Sequence, residues 1–195
     1  MRTIFLIFLI TLLASCNPAG DKNQPTASFV GENITGADFA KPLALTDHTG
    51  KPRTMSDFKG KVVVLFFGYT HCPDVCPTTM SDLKQTMKLL GNKADEVQVL
   101  FITVDPERDT QEVLAQFVPY FDPRFLGLRG NAKETADTLS NFKVYQAKVD
   151  EKSDGSYTID HSAGMYVYDK LGKIRLYMQY GQKPVDMASD IGKLL

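Results

Sequence analysis

The chain carries no basic stripe: its 22 Lys and Arg are matched by 23 Asp and Glu, a net charge of −1 over 195 residues. Without clustered cations the phosphate attraction behind nucleic-acid binding is missing, so nucleic acid is not expected as a partner. Nor is there an apolar run long enough to cross a bilayer, since the N-terminal stretch Ile4–Leu13 falls well short of the roughly 20 residues a spanning helix needs. Metal-binding side chains are scarce, with three cysteines and three histidines. The further closely spaced Cys or His pair with which a structural zinc site usually closes is lacking. The C-x-x-C-H pattern of covalent haem attachment is absent. There is no internal repeat and no low-complexity tract. What remains, 43% apolar and 23% charged residues, is the composition of one folded domain plus a tail.

The first cysteine belongs to the tail. Arg2, the apolar core Ile4–Leu13 and the absence of acidic residues before position 14 read as a signal peptide over residues 1–15. Leu13-Ala14-Ser15-Cys16 resembles the bacterial lipobox, in which cleavage leaves a lipidated cysteine at the new N-terminus. Residues 16–30 are polar and rich in Pro and Gly, the composition of a flexible tether, and residues 31–195 form the domain. The expected location is therefore outside the cytoplasmic membrane, on the periplasmic or extracellular side, attached through lipid at Cys16. In that oxidising setting Cys72 and Cys76 are left as a pair, and keeping them as thiols requires a reductant.

Within the domain, Leu43–Leu45 and Lys51–Met55 flank Asp47-His48-Thr49-Gly50 as an N-terminal hairpin. Val62–Phe67 and Val97–Val104 are β-branched and aromatic throughout, the pattern of strands buried on both faces. Between them, Met80, Leu83, Met87 and Leu90 recur at helical spacing, so the methionines are expected in a core-facing helix rather than on a metal. Thr110 and Asn131 are N-cap candidates for two further helices. Phe125–Leu128 reads as an edge strand, Val144–Val149 as another, and Met165–Asp169 with Ile174–Tyr180 as a hairpin. Pro184 opens a last helix to Leu195. Alternating strands and helices predict an α/β fold, a mixed central sheet flanked by helices. A thiol pair where the first long strand meets a helix points to its thioredoxin-like version.

That pair lies in Gly68-Tyr69-Thr70-His71-Cys72-Pro73-Asp74-Val75-Cys76-Pro77. Residues four apart on a helix share a face, so the two sulphurs can bond to each other or converge on a metal. A helix N-terminus is expected to lower their pKa and favour thiolate. Third-ligand candidates are the three histidines. His48 is expected as a solvated turn residue, His71 as a neighbour that tunes the thiols or faces solvent, and His161 in Asp160-His161-Ser162-Ala163-Gly164 as an isolated histidine among small residues. Two thiolates with an imidazole suit copper, Cu(I) first, although zinc with a water is not excluded by the count.

Together these segments resemble the SCO/SenC family of copper-binding proteins. The cysteine motif matches the family's G-[FY]-T-x-C-P-D-[VI]-C-P, Val104-Asp105-Pro106-Glu107-Arg108-Asp109-Thr110 its VDP-x-RDT segment, and Asp160-His161-Ser162 its D-H-[ST] segment. The resemblance implies a thioredoxin-like fold with copper, as Cu(I) and in some states Cu(II), held by Cys72, Cys76 and His161. It implies a metallochaperone rather than an enzyme, one that takes copper from an exported donor and delivers it to the copper-bearing subunit of a cytochrome oxidase. A thiol–disulfide oxidoreductase acting on that subunit's cysteines is the alternative, and a redox or copper sensor a third reading. A peroxidase is disfavoured because Thr70-His71-Cys72 is one residue short of T-x-x-C. Asp105 and Arg108 are expected to cap and pair charges, and Asp74 and Asp160 to cap turns or tune charge.

Overall fold

The computed structural model describes residues 28–40 and 43–195; the signal segment, Cys16 and the tether up to residue 27 lie outside them. The sheet is built around β4 (Val62–Gly68) and β5 (Val97–Thr103), every residue of which is buried. They pair in parallel along their whole length, from Val62 opposite Val97 to Gly68 opposite Thr103. A sheet so placed needs cover on both faces, and alternation along β4 supplies anchors for each. Phe66 stacks edge-on with Phe101, which meets Phe117 of α2 (Gln111–Phe121). Phe67 points the other way, to Phe142 at the end of α3 (Ala132–Asn141) and to Tyr166.

The crossover from β4 to β5 carries α1 (Val75–Leu90) onto the Phe66 face. Met80, Leu83 and Met87 are buried there, so the methionines are core residues as their spacing predicts. α4 (Pro184–Gly192) packs beside α1 and stops short of Leu195. β6 (Leu126–Arg129) extends the parallel set next to β5. It is not the edge strand expected from the sequence, because the N-terminal hairpin β2 (Ala44–Asp47) and β3 (Pro52–Thr54) pairs onto its far side. On the opposite flank β9 (Met165–Tyr168) and β10 (Ile174–Met178) form the expected hairpin, with β1 (Glu32–Asn33) beyond it. The eight-stranded order is β1-β10-β9-β4-β5-β6-β2-β3.

Two features depart from the sequence reading. β7 (Gln146–Val149) does not join the sheet; it pairs with β8 (Thr158–His161), a strand not foreseen, as a separate two-stranded arm. Residues 28–31, by contrast, are tied to α4: Asp190, fully buried, accepts the Val30 and Gly31 amides, and Lys193 donates to the Ser28 carbonyl.

The hairpin turn rests on Asp47, whose side chain is fully buried and accepts from Thr49, Lys51 and Arg53. Burial acts to raise its pKa, but these bonds outweigh it and hold the carboxyl at about 2. Because the folded value lies below the unfolded one, the stability it contributes is present above roughly pH 4 and is lost as pH falls toward about 2. Urea melts of the parent and of Asp47→Asn should differ at neutral pH and draw together by about 2 kcal/mol as pH falls through that window; a constant difference would contradict the assignment.

Candidate metal centre

β4 ends at Gly68, and the chain crosses from sheet to helix through Tyr69–Asp74. Gly68 is the last residue of the extended strand, and what matters there is its missing side chain. A Cβ there would sit 2.9 Å from Cys76 Sγ and 2.9 Å from the Phe101 ring, so only glycine lets the first turn of α1 press Cys76 against the strand. Cys76, second residue of α1, is fully buried. Cys72 precedes the helix and is half-buried; its Sγ accepts the Cys76 amide at 3.4 Å, in the place of an N-cap side chain. Asp74 holds the N-cap position but makes no capping bond to the helix amides. Both cysteines are free thiols.

His161, last residue of β8, reaches the same place from the arm. Its Nδ1 donates to the Ser162 carbonyl at 3.0 Å, which fixes the tautomer and leaves the Nε2 lone pair facing Cys76 Sγ at 3.5 Å. Burial lowers the pKa of His161, against the Ser162 bond and the nearby Asp160 charge, so the imidazole is neutral near pH 7. Burial also pushes the Cys76 thiol up, and the neighbouring Cys72 and Asp109 charges add to the rise. That overturns the expectation of a primed thiolate at Cys76. Desolvation outweighs the one contact that favours a thiolate there, a hydrogen bond with the Tyr69 backbone. The resting pair is thus a neutral S–H facing a neutral imidazole.

Among the described residues no three Cys, His, Asp or Glu groups already enclose a metal-sized centre. The donor set nonetheless fits a soft ion: two sulphurs within one turn of chain, and a third donor whose lone pair is aimed at the buried sulphur. The other histidines are held elsewhere. His71 is exposed, its Nδ1 3.1 Å from Thr70 Oγ1 and 3.9 Å from Asp109. His48 is less solvated than expected, because its Nδ1 accepts the Gly127 amide and its own amide donates to the Gly127 carbonyl.

Sequence reasoning missed the groups that hold the loop. Asp109, fully buried, accepts from the Thr70 amide, from the Thr70 hydroxyl at 2.6 Å and from the Thr103 hydroxyl at 2.6 Å. Its carboxylate pins the start of the cysteine loop to the end of β5. Tyr69, also buried, accepts the Ile159 amide through its hydroxyl and sets its ring edge-on to His161. Both lie inside motif segments, but nothing in their spacing shows which partner each side chain meets. The unequal burial has a measurable consequence. Iodoacetamide should modify Cys72 of the reduced, metal-free protein at least about tenfold faster than Cys76, and denaturant should remove the difference. Equal rates in the folded state would mean that Cys76 is not enclosed as described.

A family model described as SCO1/SenC matches residues 31–195, which include the cysteine motif and His161. The mouse protein SCO2 homolog, mitochondrial, is 40% identical over 142 residues, 72% of this chain and 55% of its own. The chain spans about half the length of the curated relatives it matches at this level. Among solved structures, Bradyrhizobium japonicum ScoI with copper bound superposes with a TM-score of 0.74 at 39% identity, covering 80% of this chain and 99% of that one. Apo Sco1 from Thermus thermophilus does so at 0.77 and 35%, covering 88% and 100%. Their thioredoxin-like fold is the one expected from the thiol pair at the strand–helix junction. With the match running through the whole domain, the chain belongs to the SCO1/SenC family.

Proposed function

We propose that this protein is a copper metallochaperone that binds one copper ion through Cys72, Cys76 and His161 and passes it to the copper-bearing subunit of a cytochrome oxidase. The observation that carries the reading is the Nε2 lone pair of His161 facing the Cys76 thiol at 3.5 Å, with Cys72 one turn of chain away. Copper would be cargo, a soft ion for which two sulphurs and an imidazole are a matched donor set. Binding would release the thiol protons, and because His161 is already neutral it would lose none. Cys72, half-buried, is a donor that an incoming ligand can reach, whereas Cys76 is fully buried. A family member solved with copper bound supports the cargo. We assign attachment to a lipid at Cys16, with the domain on the exported side; a copper donor and a thiol reductant complete the cycle.

The half-exposed Cys72 over a buried Cys76 favours one second reading, thiol–disulfide exchange. There the Cys72 thiolate would attack a target disulfide, and Cys76 would resolve the mixed disulfide. The target gains two electrons and two thiols while Cys72 and Cys76 become a disulfide, so turnover needs an external thiol reductant.

Copper content decides between them. Anaerobic, reduced protein should hold one Cu(I) per chain against a competing chelator, Cys72→Ser and Cys76→Ser should lose it, and His161→Ala should weaken it by at least about tenfold. Unchanged affinity in His161→Ala removes the histidine from the site. No tight copper in the folded, reduced parent would leave thiol exchange as the function.

A further inference from the structure

His161 stands on an arm that does not belong to the main sheet, since β7 and β8 pair only with each other. Two ladder strands alone are marginal, so their position depends on what they are fastened to. One cluster of fastenings comes from the β5–α2 connection. Arg108 donates through Nη1 to the carbonyl of Tyr157, the residue before β8, at 2.9 Å, and its guanidinium lies 3.5 Å from the centre of the Tyr157 ring. Through Nε it pairs with Asp105, which in turn accepts the Tyr157 hydroxyl at 2.9 Å. Asp105 is 1% exposed and Arg108 22%, so solvent screens this cluster far less than it screens the outer Lys148–Glu107 pair. Arg108 Nη2 is buried without a hydrogen-bond partner, and the guanidinium sits between Tyr157 and the more distant Tyr69 ring, whose π faces are its remaining partners.

We propose that Arg108 is a positioning residue for His161: with Asp105 it clasps Tyr157 from two sides and so fixes β8 where the imidazole meets Cys76. The inference rests on His161 being a copper ligand, as proposed above, and gives the VDP-x-RDT segment a role beyond capping and charge pairing. The clasp requires arginine. One planar group bonds a carboxylate along one edge and a carbonyl along another while stacking on a ring, which a lysine ammonium cannot do. Three residues separate Tyr157 from His161, and Ile159 among them is tied to Tyr69, so the clasp acts on the ligand through a short, stiff strand.

The test uses the intact chain, reduced, with Arg108→Ala on one side of the clasp and Tyr157→Ala on the other. In metal-free protein both variants should speed amide exchange across residues 158–161 by about tenfold while α1 and β4 stay protected. With Cu(I) as probe, Arg108→Ala should raise the Kd about tenfold in the parent background and by less than about twofold in His161→Ala, because a group acting through the histidine has nothing left to position. An equal loss in both backgrounds overturns the proposal in favour of a merely structural arginine, as does unchanged exchange over the arm. A His161→Ala protein that holds Cu(I) like the parent is a different failure: it removes the ligand reading, and the exchange data still show whether Arg108 holds the arm.

Discussion

The parallel pairing of β4 with β5 is the constraint on which the site depends. Seven residues of each strand are buried on both faces, so neither can slip without moving an entire set of side chains to the wrong face. The register ends with Gly68 beside Thr103, and the two chain segments leaving that point carry nearly all the chemistry. One holds the cysteines; the other carries Asp105, Arg108 and Asp109. Asp109 bonds back to Thr70 and Thr103, so the loops are tied together at the point where they leave the sheet.

Burial then sets the protonation of the site. Desolvation raises the Cys76 thiol and lowers the His161 imidazole, two shifts that both favour the neutral form. An apo site of neutral groups avoids holding unpaired charge away from water. A metal ion can later supply the positive charge that makes a buried thiolate acceptable. Cys72, with its sulphur at the helix amide and partly open to solvent, is the asymmetric member of the set.

Much of this was legible in the chain. The apolar runs Val62–Phe67 and Val97–Val104 are visible because a strand buried on both faces has no polar positions to spare. The Met80, Leu83 and Met87 spacing, the Thr110 and Asn131 caps and the Asp47–Gly50 turn are likewise local signals, and all are present in the fold. Local pattern failed where pairing partners are distant. Phe125–Leu128 looks like an edge because it is short, but the hairpin from eighty residues earlier covers it. β8 was invisible because four residues with one buried side chain make no periodic signal.

The sequence by itself therefore determined the two central strands, the helix that follows the cysteines and the set of donor types, since each depends on residues near one another in the chain. Only the tertiary structure decided that His161, eighty-five residues beyond Cys76, faces it with a free lone pair while His48 and His71 are engaged elsewhere. It also decided that Gly68 makes room for a sulphur and that burial, not the helix end, governs the Cys76 proton. The reason is the same in each case: contact, burial and tautomer are properties of the space between segments, and spacing along one segment does not encode them.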